Sequence, residues 1–227
     1  CPHNEAMPSS SVASNLDSLS QLPLRRIPRQ QRSRRRVADM ISAAIDLLVL
    51  GGTEAVTTSA VAEKARVPIG SVYQFFPDRG TLLLAVAKVS SRPLQETAQL
   101  IKTDSIARAG LDSWLITVLT RLEEQWFKHP ADVAAWNALV SVPNMSSVTG
   151  PIFTNFVTAL TAGIIQHQKP THLTEKETHE LCWVLTTSLT AVLASSLAPK
   201  RSHAIAAFNT WASHMFAPAQ FNSSITI

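Results

Sequence analysis

Apolar positions along the chain recur at three- and four-residue spacing rather than in alternation, so the pattern predicts helices and no sheet. From Val37 the series Val37, Met40, Ile41, Ala44, Leu47 and Leu48 falls on one helical face, with Ser33 as the expected N-cap and Gly51-Gly52 as the stop. A short helix capped by Thr57 or Thr58 turns Val61, Ala62 and Ala65 inward. After Arg66-Val67 a second short segment, Ile69 to Phe76, ends at Pro77. Asp78 then caps a longer helix through Leu82, Leu83 and Val86, in which Pro93 marks a kink or break. Ala107, Leu111, Trp114, Leu115, Val118, Leu119, Leu122 and Trp126 form one wide stripe closed by Pro130. Thr174 with Glu177 makes a capping-box pattern, and Ala204, Ile205, Phe208, Trp211, Ala212 and Met215 form the stripe of a last helix. Residues 1–24, rich in Ser, Asn and Pro, show no sustained period and read as a mobile tail.

Composition supports an all-α fold. An apolar fraction of 45% closes a sizeable core and excludes disorder for most of the chain. Seven glycines and one tyrosine are too few for a sandwich or barrel built on tight turns. Cys1 and Cys182 are the only cysteines, so neither a disulfide framework nor a four-cysteine zinc site can form within the chain. A reducing compartment fits, and the cytoplasm is the expected location. The first residues lack the apolar core of a signal peptide, and Cys1 is no initiator, so the chain reads as trimmed or numbered from an unusual start. A lipidated Cys1 is the disfavoured alternative.

Charge changes the picture more. The formal net charge is +4, and residues 1–90 hold eleven basic and seven acidic side chains against nine of each in the rest. Seven arginines stand between Arg25 and Arg36, so a basic head precedes a neutral body and faces a polyanion. Val133 to Gln168 contains no Asp, Glu, Lys or Arg, and a second uncharged stretch runs from Leu181 to Pro199. A membrane span competes with buried helices for these stretches. Pro143, Asn144, Gly150, Pro151 and Asn155 interrupt the first, and Ser and Thr pepper the second, which favours buried helices and no membrane partner.

A first helix from Val37 and two short helices across a tight turn, ending at Phe76, have the spacing of a helix-turn-helix, whose last helix lays its outer face in a major groove about 12 Å wide. Pro68, Ile69, Gly70, Ser71, Tyr73 and Gln74 are available to face bases or phosphates, with Val67, Val72 and Phe76 as anchors. Gln74 is the side chain able to pair bidentately with adenine. Thr58 and Ser59 can hydrogen-bond phosphate oxygens or base edges. The competing reading is a plain helical hairpin with Tyr73 and Phe75 as packing residues. Arg34, Arg35 and Arg36, expected in the first turn of a helix, oppose the macrodipole there. Phosphates would compensate, and a solvated basic face is the alternative.

Thr57-Thr58-Ser59-Ala60-Val61-Ala62-Glu63-Lys64-Ala65, then Val67-Pro68-Ile69-Gly70-Ser71-Val72-Tyr73-Gln74-Phe75-Phe76-Pro77-Asp78-Arg79, then Leu82-Leu83, resembles the DNA-binding head of the TetR family of transcriptional regulators. The resemblance covers about Arg34 to Val86. It implies a homodimer that binds a near-palindromic operator in double-stranded DNA, usually as a repressor, and releases it when a small-molecule effector enters the C-terminal domain. Carried over by position, it implies DNA contacts from Thr58, Ser59, Ile69, Gly70, Ser71, Tyr73, Gln74 and Arg79, with Tyr73 and Arg79 on phosphates. Arg66 departs from the family, which commonly has glycine in that turn. If that position is left-handed, a non-glycine residue costs on the order of 1 kcal/mol, so either the turn differs slightly or Arg66 offsets the cost with a phosphate contact.

A bivalent reader must dimerise. Val184, Leu185 and Val192 on one late helix, with Ile205, Phe208, Trp211 and Met215 on the next, suit a four-helix seam, and packing within the subunit is the alternative. Trp136, Asn137, Phe153 and Phe156 beside Trp114 and Trp126 suit an apolar effector chamber, against core packing for any one of them. Their lack of charge points to a neutral or hydrophobic effector. The rival classes are a constitutive DNA-binding protein without effector and an α-helical enzyme. No His-x-x-x-His pair, phosphate loop or Gly-x-Ser-x-Gly elbow supports the enzyme, so no catalysis, metal or cofactor is expected, and the histidines read as solvent-facing. The expected organisation is a disordered tail with a basic arm (1–32), a helix-turn-helix domain (33–79), a helical effector-binding and dimerisation domain (80–217) and a tail (218–227).

Overall fold

A computed structural model describes residues 24–103, 110–128, 130–140, 142, 146–167, 173–194, 210–212 and 215–216. The chain is all-α: every regular element among the described residues is a helix. In order these are α1 (Gln31–Ala55), α2 (Thr58–Lys64), α3 (Ile69–Phe75), α4 (Arg79–Ser90), α5 (Arg92–Lys102), α6 (Leu111–Phe127), α7 (Pro130–Val140), α8 (Ser146–His167) and α9 (Glu175–Ala194). The chain divides into two compact units, Cys1–Pro93 with Gln125–Ile152, and Leu94–Glu124 with Phe153–Ile227. No described helix is long and apolar enough to cross a membrane.

In the first unit, Val37, Met40, Ile41, Ala44 and Leu48 of the α1 stripe face the core as its period requires, Leu47 is half-buried, and Ile45 joins the core beside them. The helix starts earlier than the Ser33 cap implied. Gln30 holds the N-cap position with no side-chain bond, while the Ser33 hydroxyl donates to the Gln30 carbonyl at 2.7 Å, one turn back inside the helix. Arg34, Arg35 and Arg36 therefore begin at the end of the first turn, where the macrodipole acts less on them. At the other end Gly52, at φ 69° and ψ −171°, breaks the helix, and one more turn follows to Ala55.

The Thr57 side chain caps α2 by accepting from the Ala60 N–H at 3.1 Å, and Asp78 caps α4 by accepting from the Thr81 N–H at 2.7 Å. Hydrogen bonds from Thr81 hold the Asp78 carboxyl below its ordinary value of 3.8. Asp78 therefore stabilises the fold fully above the unfolded value and less as pH falls through the lowered one. Asp78→Ala is expected to cost about 1 kcal/mol at neutral pH. Thermal melts of variant and parent should converge in acid, and a gap unchanged at low pH would rule out the cap as its source.

Pro93 breaks rather than bends. α4 ends at Ser90, and Pro93 sits at the second position of α5, where its missing N–H has no intrahelical partner to lose. The core of this unit draws on a distant segment, because α7 packs on both α1 and α4 and contributes Ala135 and Leu139 to the same buried cluster.

In the second unit, Trp114 of α6 stacks on His167 at the end of α8, ring centroids 4.9 Å apart, so His167 is packed rather than solvent-facing. The neighbouring turn of α8 carries Gly163, and a Cβ there would overlap the six-membered ring of Trp114. Phe153 meets Trp183 edge-on at 4.6 Å. Thr174 and Glu177 form the capping box reciprocally: the Thr174 N–H donates to Glu177 Oε2 at 2.8 Å, and the Glu177 N–H to Thr174 Oγ1 at 3.2 Å. Burial pushes the Cys182 thiol up to about 11, so it stays protonated at neutral pH. Gly150, Pro151 and Asn155, expected to interrupt the uncharged stretch, lie inside α8, while Pro143 and Asn144 fall outside the described residues.

Candidate nucleic-acid interface

The turn between α2 and α3 follows from the end of α2. The Val67 N–H donates to the Ala62 carbonyl at 2.9 Å and the Arg66 N–H to the Glu63 carbonyl at 3.1 Å, the bond pair of a Schellman motif. That motif places its penultimate residue in the left-handed region, and Arg66 sits there at φ 54°. Arg66→Gly is expected to raise stability by about 1 kcal/mol, and Arg66→Ala to leave the strain in place. Equal denaturation midpoints for the glycine and alanine variants would refute a backbone origin.

The turn sets α3 with Val72 and Phe75 in the core and Ile69, Gly70, Tyr73 and Gln74 exposed, Ser71 being half-buried. A Cβ at Gly70 would meet nothing within 4 Å, so the protein's own packing does not require a glycine there. The Tyr73 hydroxyl lies 3.1 Å from Thr58 Oγ1 and ties the outer face of α3 to the start of α2, next to the exposed Ser59. An ion pair of 3.3 Å between Lys64 and Asp46 fixes the far end of α2 to α1.

Arg79 is engaged within the protein. Its Nε donates to the Val56 carbonyl at 3.0 Å, and its terminal nitrogen donates to the Thr53 carbonyl and to Glu54 Oε1, the latter at 3.1 Å. The guanidinium thus clasps the end of α1 to the start of α4. A phosphate reaching Arg79, as the resemblance implies, would compete with these acceptors. On α1, Arg34 and Arg35 are exposed and Arg36 is half-buried. Burial raises the Asp39 carboxyl above its usual range, and the Arg35 charge opposes that rise.

The remaining expected sites are divided between the units. Trp126, Trp136 and Asn137 belong to the first, and Trp114, Phe153 and Phe156 to the second. Trp126 and Trp136 are fully buried, and their indole N–H groups have no hydrogen-bond partner among the described residues. Of the expected dimer residues, Val184 and Trp211 are exposed, Met215 is half-buried, and Leu185 is wholly buried. Leu185 is thus spent inside the subunit. Val192 lies on α9, and Ile205 and Phe208 fall outside the described residues. Periodicity missed the exposed Trp183 beside Val184 and the inward engagement of Arg79.

Residues 40–86 match the family model described as bacterial regulatory proteins, tetR family. No curated protein matches the chain. Among solved structures, a putative tetR family transcription regulator from Shewanella sp. PV-4 is similar at 18% identity and a TM-score of 0.63, over 80% of this chain and 95% of that one. The FadR regulator of Bacillus subtilis, solved in complex with stearoyl-CoA, is similar at 13% identity and a TM-score of 0.60, over 78% and 96%. A gamma-butyrolactone receptor described as ArpA-like is similar at 16% identity and a TM-score of 0.55, over 82% and 100%. At these identities the likeness is one of fold.

Proposed function

We propose that this chain, whose residues 40–86 match the family model of bacterial regulatory proteins, tetR family, acts as a homodimeric, ligand-responsive transcription regulator, a repressor released from a near-palindromic operator by a small neutral or hydrophobic effector. The outward face of α3 carries this reading. Ile69, Gly70, Tyr73 and Gln74 project from a helix whose opposite side is fully committed to the core, and the space around Gly70 admits a close backbone approach from outside. Thr58, Ser59, Tyr73 and Ser71 supply hydroxyls for phosphates or base edges, and Gln74 the bidentate donor and acceptor for adenine.

The dimer draws support from the exposed Trp183 and Val184 on α9, apolar side chains that a second copy would cover. The uncharged run from Val133 to Gln168 supports an effector without charge at its buried end. One similar structure holds stearoyl-CoA and another is a gamma-butyrolactone receptor, and both agree with a ligand that brings apolar surface. Filling the body would shift the helix that starts at Arg79, changing the spacing of two recognition helices. A coupling of about 1–3 kcal/mol would suffice for a five- to 150-fold loss of affinity.

Selection of bound fragments from genomic DNA tests the reading. The expected product is a motif of two inverted half-sites about one helical turn, roughly 34–36 Å, apart. A chain that stays monomeric and recovers no motif would overturn it. Effector screening by thermal shift then separates a ligand-responsive regulator from a constitutive binder, since ligand at a hundred times its Kd adds about 2.7 kcal/mol.

A further inference from the structure

The residues before α1 lie alongside the recognition helix. The Arg25 N–H donates to the Phe75 carbonyl at the end of α3, at 3.1 Å, Leu24 packs against the core of the head, and Pro28 is buried. Residues 24–30 are therefore strapped down at three points, while Arg25, Arg26 and Arg29 stay exposed. Beside the strap runs an open trough of about 840 Å³ whose lining includes Arg25, Arg26, Arg29, Arg32, Arg36 and Gln74, and no acidic residue. A second hollow of about 430 Å³ is formed by Arg25, Arg26, Gly70, Tyr73 and Gln74. Two arginines of the strap thus share one surface with the outward face of α3. Among the described residues none of Arg25, Arg26, Arg29 and Arg32 is in an ion pair, so this cationic wall has no internal counter-charge there.

We propose that the strap is a second DNA-reading element, in which Arg25, Arg26 and Arg29 enter the minor groove beside the half-site that α3 reads in the major groove. The inference rests on the DNA-binding reading above and adds a contact that the helix-turn-helix does not supply. Every cation from Arg25 to Arg36 is arginine and none is lysine. A plain phosphate clamp accepts either. A narrow minor groove favours arginine, because guanidinium is more weakly hydrated than ammonium and A·T-rich tracts concentrate negative potential at the groove floor. The position fits as well: a thin non-helical segment that passes the end of the recognition helix on its way into α1 can follow the duplex into the adjoining groove, as the N-terminal arms of other helical readers do. The consequence is a preference for A·T pairs flanking the motif, at positions α3 does not touch.

The test uses the full chain, the triple variants R25A/R26A/R29A and R25K/R26K/R29K, and selection from duplexes randomised in both motif and flanks. All three proteins are expected to recover the same central motif. The parent should enrich A·T flanks. The alanine variant should lose that enrichment together with about tenfold or more in affinity at 0.15 M salt, and show a shallower salt dependence. The lysine variant should keep the salt dependence and still lose the flank preference. An alanine variant with the parent's flanks and salt slope overturns the strap as a contact while leaving the DNA reading intact. Weaker binding with no flank preference in any protein assigns the strap to phosphates alone and overturns the groove assignment. A parent that recovers no motif overturns the DNA reading, and this inference with it.

Discussion

Leu139→Ala is expected to cost about 2–5 kcal/mol and to loosen the helix-turn-helix head, although Leu139 lies far along the chain from it. Leu139 is wholly buried on α7, which packs on α1 and α4, and it shares a cluster with Met40, Ile41, Leu48, Leu82 and Val86. Truncation removes transfer energy and leaves a cavity that rigid helices fill only in part. Against a total stability of about 5–15 kcal/mol, such a loss is large. The denaturant midpoint should fall with little change in slope, and DNA affinity should fall at temperatures where the parent still binds. Val140→Ala, at an exposed position on the same helix, should stay within about 0.5 kcal/mol. A Leu139→Ala midpoint indistinguishable from that of Val140→Ala would remove α7 from the head's core. The same helix carries Trp136 and Asn137, and neither indole nor amide belongs to that cluster.

Local rules carried the reading of the head a long way. The Thr57 and Asp78 caps, the Thr174–Glu177 box, the break at Gly52 and the inward Val72 and Phe76 all depend on neighbours within one or two helical turns, which is the range that spacing and capping preferences report. The left-handed Arg66 was suggested only by the resemblance, through the glycine that the family commonly carries in that turn, and not by local spacing. Ser33 misled because a serine near a helix start caps in one backbone conformation and back-bonds in another, and the choice belongs to Gln30. Arg79 was opaque. Its acceptors lie 23 to 26 residues back, and nothing in its own neighbourhood distinguishes a clasp on carbonyls from a hand free for phosphate. The place of α7 in the head's core and the path of the strap along α3 are likewise long-range packing, invisible to periodicity. In the body, aromatic side chains look alike whether they line a chamber or fill a core. The edge-on pair of Phe153 with Trp183 and the stack of Trp114 on His167 come only from three-dimensional packing.

Changing Arg34, Arg35 and Arg36 together to alanine is expected to weaken binding to every duplex by about two orders of magnitude at 0.15 M salt, with little effect on base preference. Each phosphate neutralised adds about 0.9 to the slope of log K against log salt, so three contacts removed should flatten it by about 2.7. Extrapolated from 1 M to 0.15 M salt, that slope difference is about a hundredfold in affinity. Folding should change little. Arg34 and Arg35 are exposed, and although Arg36 is half-buried its stem can be replaced at small cost on a helix face that alanine favours. Loss of Arg35 would also let burial raise Asp39 further, which adds negative character to the face only where that carboxylate stays ionised. A lysine triple variant separates charge from shape, since it should keep the slope if these side chains meet phosphates as point charges. Gln74→Ala provides the opposite signature: a changed base preference with an unchanged salt slope, because an amide releases no counterion. A salt series in which parent and alanine triple run parallel would take phosphate contact away from the start of α1 and leave the cationic role to the strap before it.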